Sequence, residues 1–295
     1  MRRLTLALLG SLLLLPAPAR AWGFETHRFI VSRAIDLLPP EIRPFFEANR
    51  SFIVERAIDP DLWRVAGFTD EPPRHFLDMD AYGAYPFKEL PRDYDAAVRK
   101  YGTEMLARNG LLPWRTSEIA GNLMRGFQAV SKNGAYAYSD IRFFSAIIGH
   151  YTADAHVPLH AVVNYDGQLT GQRGVHNRFE EELFVRYKDR LSFAPGPLKR
   201  ITNERDFIFD TLLESSQLVP QVLAADKDAI GNGDLYDDRY FDAFFTKIKP
   251  VLEKRISDAI TGVASIITSA WEQAGRPAIP AEPAQRAPQR RRVEP

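Results

Sequence analysis

The chain has 295 residues, 45% hydrophobic and 26% charged, with 38 basic and 38 acidic side chains and no cysteine. This is ordinary globular material with enough apolar residues for a real core. The charge balance excludes passive binding of nucleic acid by bulk charge, and the missing thiols exclude disulfides.

Residues 1–21, MRRLTLALLGSLLLLPAPARA, join a basic start, a leucine-rich centre and an A-x-A ending at Ala19 and Ala21. They predict a cleavable signal peptide, and hence a secreted or periplasmic protein. The apolar stretch is too short for a membrane span, and its brevity points to a bacterial export system. Cleavage after Ala21 makes Trp22 the first mature residue. Next, ETHRFIVSRAIDLL (25–38) spaces Phe29, Ile30, Ala34 and Leu38 as a helix does; Pro39 and Pro40 stop it, and Pro40 can open the next helix. PEIRPFFEANRSFIVERAI continues helically, interrupted at Pro44. Residues 60–91, rich in proline, glycine and aspartate, predict a long irregular segment. Helices resume in DYDAAVRKYGTEMLARN and in SEIAGNLMRGFQAVSK, the second with Ser117 as its cap. SDIRFFSAIIGHYTADAH is the most apolar, and Phe143, Phe144, Ile147, Ile148 and Tyr151 predict burial. The Gly-rich loop NYDGQLTGQRG precedes a helix from near His176 and two more through about residue 273. From Gly275 the composition turns to Pro, Ala, Arg and Gln and predicts a disordered tail over 275–295. No strand ladder, repeat, Walker loop or dinucleotide fingerprint intervenes, so the expected fold is all-α, one multi-helix domain over 22–274.

GHYTADAHVPLH, 149–160, holds three of the chain's six histidines and an aspartate. His150 and Asp154, four apart, project from one helix face. That suits two ligands on one ion, or one carboxylate shared between two ions. Pro158 ends the helix and lets His160 approach from a new direction. HNRFE repeats the device with His176 and Glu180. Imidazole nitrogens with carboxylate oxygens favour zinc over manganese and iron.

The chain resembles the phospholipase C / P1 nuclease superfamily, secreted all-α enzymes that hold three zinc ions at the bottom of a cleft. The resemblance rests on H-x3-D-x5-H followed by H-x3-E, here His150, Asp154, His160, His176 and Glu180. Trp22 stands where the family begins its mature chain with a tryptophan whose amino group and carbonyl bind zinc, and His27 fills the place of the histidine that follows. Asp61 and His75 fit the remaining Asp–His pair. Asp59 competes with Asp61, which is favoured because Asp61-Leu62-Trp63-Arg64 matches the nuclease D-x-x-R. The resemblance implies one zinc on Asp61, His75, His150 and Asp154. A second falls to the Trp22 backbone, His27 and the other oxygen of Asp154, and a third to His160, His176 and Glu180. His156 is left over, either orienting a ligand or simply ending a helix.

The implied activity is zinc-dependent phosphodiester hydrolysis, in which water activated between zinc ions attacks phosphorus. Asp154 would join the ions, Asp61 would align or deprotonate the water, Arg64 would grip a non-bridging oxygen, and Phe76 would stack a base. The Trp22–His27 spacing, D-x-x-R, HFLD and DAHVPLH resemble the nuclease branch, so a nucleic acid or nucleotide is the expected substrate. Glu180 in place of aspartate and the short His160–His176 loop resemble the phospholipase branch. The longer loop and "TNLH"-like motif typical of nucleases are missing. A phospholipase C acting on lipid headgroups is the alternative, and a non-catalytic exported zinc- or phosphate-binding protein a third. No stable protein partner is implied, and a monomer is expected.

Overall fold

A computed structural model describes residues 23–281. The expected signal, Trp22 and residues 282–295 lie outside the described residues. Among those described, all regular structure is helical and there is no strand. The helices are α1 (Phe24–Asp36), α2 (Arg43–Ala48), α3 (Arg50–Arg56), α4 (Asp59–Val65), α5 (Tyr94–Tyr101), α6 (Thr103–Asn109), α7 (Leu112–Ser131), α8 (Ala137–Ala155), α9 (Val175–Asn177), α10 (Leu183–Tyr187), α11 (Glu204–Ile230) and α12 (Asp238–Gln273). Three tight 3-10 turns, Pro72–His75, Met79–Tyr82 and Pro158–Ala161, and a π-helical turn, Arg178–Glu182, carry the chain between them near the site.

The rod at the centre is α8, packed by α1, α3, α7, α11 and α12. Every residue from Ser145 to Ala155 is buried, which explains its all-round apolar sequence. Two glycines allow the neighbours in. A Cβ on Gly149 would lie 2.6 Å from Val31 Cγ2 of α1, and one on Gly262 of α12 would lie 3.0 Å from His156 Cε1. The C-terminal end of α8 is tied off by α11 and α12. The fully buried Arg255 donates Nε–H to the His156 carbonyl at 2.9 Å and Nη2–H to Ser215 Oγ at 2.7 Å; Ser215 donates to the Ala155 carbonyl at 2.6 Å. These contacts satisfy carbonyls that a helix end leaves open and set a cation at the negative pole of the helix.

After α10 and a short 3-10 turn, Lys188–Arg190, the chain runs from Leu191 without helix along α12. The N–H groups of Ser192, Ala194, Gly196, Lys199 and Ile201 donate in turn to Glu253 Oε1, Ser257 Oγ, Thr261 Oγ1, Ser265 Oγ and Ser269 Oγ. These acceptors recur every four residues, so one face of α12 serves as the hydrogen-bonding partner of an extended strap.

Several expectations change. Pro44 opens α2 and Pro60 opens α4, because a proline in the first helical turn loses no hydrogen bond. The segment 60–91 is therefore helical at its start. Gly102, at φ +80°, divides 93–109 into two helices. Ser117 lies inside α7, which starts at Leu112 with Pro113 in its first turn, and caps nothing. Residues 275–281, expected in the tail, turn back instead. Trp271 Nε1–H donates to the Pro277 carbonyl at 3.0 Å, and Ile279 joins the core. No helix among the described residues is long and apolar enough to cross a membrane.

Candidate metal centre

Helix α1 supplies His27, α4 supplies Asp61 and Arg64, and the turn Pro72–His75 supplies His75. Helix α8 supplies His150 and Asp154, the turn Pro158–Ala161 supplies His160, and α9 with the π-turn supplies His176 and Glu180. All of these except Arg64 are buried to 4% exposure or less. Pro60 fixes the start of α4, which sets Asp61 in its first turn, where a carboxylate suits the positive helix end. His150 and Asp154 sit one turn apart on α8, as their spacing predicts.

The rings are aimed by backbone carbonyls. His150 Nδ1–H donates to the Ala57 carbonyl at 2.8 Å, and His160 Nδ1–H to the His75 carbonyl at 2.7 Å. In each ring the other nitrogen, Nε2, is then a bare lone pair. His150 Nε2 faces His75 Nδ1 at 3.1 Å and Asp154 Oδ2 at 3.3 Å. His160 Nε2 faces His176 Nε2 at 3.0 Å, and His176 Nε2 faces Glu180 Oε2 at 2.9 Å. His27 stacks on His150 with ring centroids 4.0 Å apart, and its Nε2 lies 3.3 Å from Asp154 Oδ1.

Three donor groups result: His27–Asp61–His150, His75–His150–Asp154 and His160–His176–Glu180. Each offers ligand atoms within 4.8 Å of one another and can hold a metal ion. Four ligands about 2.1 Å from a tetrahedral zinc stand about 3.4 Å apart. The separations of 2.9–3.3 Å across these groups fit that spacing. The carboxylate oxygens of Asp61 and Glu180 accept no hydrogen bond although fully buried. Asp61 has the Arg64 guanidinium 3.0 Å from one oxygen, and the unsatisfied oxygens of Glu180 are costly to bury unless a cation or proton meets them.

Burial and mutual charge set the protonation. Burial, then His150, lowers His27 to about 4, and burial lowers His160 to about 4. Burial, then His160, holds His176 well below the usual imidazole value. Neutral imidazoles are what a metal requires. Glu180 is pushed well above the carboxylate range by burial, then by Asp154 and Asp61. Burial works against the charge of Asp154, but His150, His27 and His75 hold its carboxyl well below the usual range. His75 goes the other way. Burial opposes its charge, and hydrogen bonding to Asp154 and Glu71 nevertheless raises it to about 9.

At the rim, Arg64 Nη2 lies 3.0 Å from Asp61 Oδ1 with 15% of its side chain exposed. Phe76 follows His75 as a half-buried residue. Its carbonyl accepts from Leu112 N–H at 3.2 Å and presses on Gly110, where a Cβ would lie 2.1 Å from the Phe76 oxygen. Asp59 accepts from Arg56 Nη1–H at 3.1 Å and is in none of the three donor groups, whereas Asp61 is in one. His156 also stays outside them. Its Nδ1–H donates to the Thr152 carbonyl at 2.8 Å, and its ring packs on Gly262. Trp22 lies outside the described residues.

Sequence reasoning missed Glu71. It is 2% exposed, accepts from Tyr151 Oη–H and from Arg74 Nη1–H at 2.8 Å, and sits 3.5 Å from His75 Nε2. It stands behind a histidine of the candidate metal centre. The signal was available: Glu71 and His75 repeat the four-residue spacing of His150–Asp154 and His176–Glu180.

No protein-family model and no curated protein matches this chain.

Proposed function

We propose that the chain is a zinc-dependent phosphodiester hydrolase acting on a nucleic acid or nucleotide, exported by its signal segment and cleaved to expose Trp22. The observation that carries this reading is the convergence of buried imidazoles and carboxylates from separate segments on common points. His160 Nε2 and His176 Nε2 stand 3.0 Å apart, and His176 Nε2 stands 2.9 Å from Glu180 Oε2, a grouping that a divalent cation can occupy. The all-nitrogen-and-oxygen donor set suits zinc. His75, His150, Asp154 and Asp61 would hold one ion; His27 with the other oxygen of Asp154 and the Trp22 terminus a second; His160, His176 and Glu180 a third. When bound, clustered zinc ions supply Lewis acidity toward a phosphoryl group and an attacking water acidified to near neutral pH. Asp154 ties neighbouring donor groups together, since its two oxygens lie near different histidines. Asp61 serves as proton acceptor and aligning group for the water. Arg64, beside Asp61, offers its guanidinium to a non-bridging oxygen, and Phe76 offers a ring to a base.

A second reading, phospholipase C, is favoured by one observation. Leu62, Val65 and Phe68, on and just after α4, are 43, 61 and 59% exposed next to Asp61 and Arg64 in the chain, as a lipid-facing rim requires.

The test uses mature protein beginning at Trp22 with bis-p-nitrophenyl phosphate. Hydrolysis should stop with a chelator and return with zinc. Single-stranded DNA, RNA and phosphatidylcholine vesicles, assayed side by side, then separate the readings. Cleavage of lipid alone refutes the nucleic-acid reading, and zinc-loaded protein inert on every diester leaves only a binding protein.

A further inference from the structure

Between the metal-facing His176 and Glu180 stands Arg178, whose side chain points the other way. It is 5% exposed, and its donors are taken up by partners on three segments. Nε–H and Nη2–H reach Asp226 Oδ1 on α11 at 3.1 and 2.8 Å. Nε–H also reaches Tyr240 Oη on α12 at 2.9 Å. Nη1–H donates to the Arg173 carbonyl at 2.9 Å and Nη2–H to the Gln172 carbonyl at 3.2 Å, both in the preceding loop. Gly174 leaves the space, since a Cβ there would lie 2.8 Å from Arg178 Nη1. The fully buried Asp226 also accepts from Tyr240 Oη–H and from Gln172 Nε2–H at 2.7 Å.

This network encloses the one π-helical turn among the described residues, Arg178–Glu182. Such turns are rare, occur mostly as single-turn bulges and are frequently found at functional sites. The widened turn resets the angle between His176 and Glu180, and Glu180 Oε2 arrives 2.9 Å from His176 Nε2. We propose that Arg178, through its ion pair with Asp226, is a positioning residue: it holds the π-turn that aims Glu180 at His160 and His176. The inference rests on the metal-centre reading above.

The test measures zinc per chain by elemental analysis, and zinc affinity against a competing chelator, in the full mature chain. Visible spectra of cobalt-substituted protein report coordination. Arg178→Met and Asp226→Asn should each weaken one ion about 10- to 100-fold. That ion should be the one Glu180→Gln removes, and combining Glu180→Gln with Arg178→Met should cause no further loss. Arg178→Lys, which keeps a charge for Asp226, should recover part of the affinity. Arg50→Met, which removes a guanidinium network tied to Glu47 and Asp36 on α2 and α1, should leave metal content unchanged. A folded Arg178→Met with full zinc affinity overturns the proposal, as does equal weakening of every ion. If Arg178→Met fails to fold, Arg178→Lys and Asp226→Asn decide by the same criteria. Wild-type protein that takes up no zinc overturns the metal reading and this inference together; a loaded wild type matched by a loaded variant overturns only the clamp.

Discussion

His160 Nε2 lies 3.0 Å from His176 Nε2, while His160 Nδ1 is committed to the His75 carbonyl at 2.7 Å. One turn thus links two donor groups: the backbone that carries His75 also fixes the tautomer of His160. Without a metal, a neutral His176 carrying its proton on Nε2 can donate to the His160 Nε2 lone pair; a metal held at both Nε2 atoms requires the other His176 tautomer.

The first prediction concerns pH. His27 and His160 have folded values near 4, below the unfolded value near 6.5. The unfolded chain therefore binds more protons between those values, and stability falls as pH drops from about 6.5 toward 4. His75, raised to about 9, acts oppositely: its contribution is present below about 6.5 and fades as pH rises through 9. For these three histidines alone the optimum of chelator-treated protein is near pH 6.5, with the raised carboxyls of Asp78 and Glu180 opposing the fall on the acid side. Zinc should raise the melting temperature far more at pH 7.5 than at pH 5, because protons compete for the same nitrogens. A zinc effect equal at pH 7.5 and pH 5 contradicts this protonation scheme.

Glu71→Gln should weaken zinc binding about 10- to 100-fold by loosening His75 from behind. Glutamine keeps the shape of the side chain and can still accept from Tyr151 and Arg74, so circular dichroism should be unchanged. The measurement is a chelator-competition titration. Affinity equal to wild type would show that His75 holds its orientation without Glu71.

Gly110→Ala should destabilise the fold by about 2–4 kcal/mol. Gly110 has φ +100°, and the new methyl would meet the Phe76 carbonyl at 2.1 Å. The Phe76 backbone would have to shift, dragging His75 with it. Urea denaturation gives the loss, and zinc affinity should drop with it. A change below about 0.5 kcal/mol, typical of an unconstrained surface site, would refute the close approach.

Asp78 carries a buried carboxyl pushed up to about 7, first by burial and then by Asp80. Its folded value exceeds the unfolded one, so its contribution is whole below about pH 4 and is lost as pH rises to 7. Asp78→Asn should therefore raise the melting temperature at pH 8, by about 2–4 °C for each kcal/mol recovered in a chain of this size, and do less at pH 5. Equal effects at both pH values would mean the carboxyl is not the source.

The helical class was legible because apolar spacing along α1, α8 and α12 is a local property of sequence. The donor residues were legible because His150–Asp154 and His176–Glu180 carry their geometry in a four-residue spacing. Other features depend on contacts between distant segments. Nothing local in Ala57 marks its carbonyl as a partner of His150, and nothing in Asp226 marks it as the partner of Arg178. Pro44 and Pro60 are ambiguous in sequence because the same residue breaks a helix interior and begins a helix. Ile279 reads as tail because its neighbours have a disordered composition, while its burial comes with the turn that Trp271 Nε1–H holds at the Pro277 carbonyl.

The rungs between α12 and the strap are made by side chains at Glu253, Ser257, Thr261, Ser265 and Ser269, so their alignment depends on residue count along the helix. Inserting one residue in that span rotates everything beyond it by about 100° and turns the later hydroxyls away. A slipped β-strand finds a new backbone partner, but this seam has none to offer. An insertion inside 253–269 should therefore unzip the seam beyond it, whereas exchange of serine for threonine at a rung keeps the accepting oxygen.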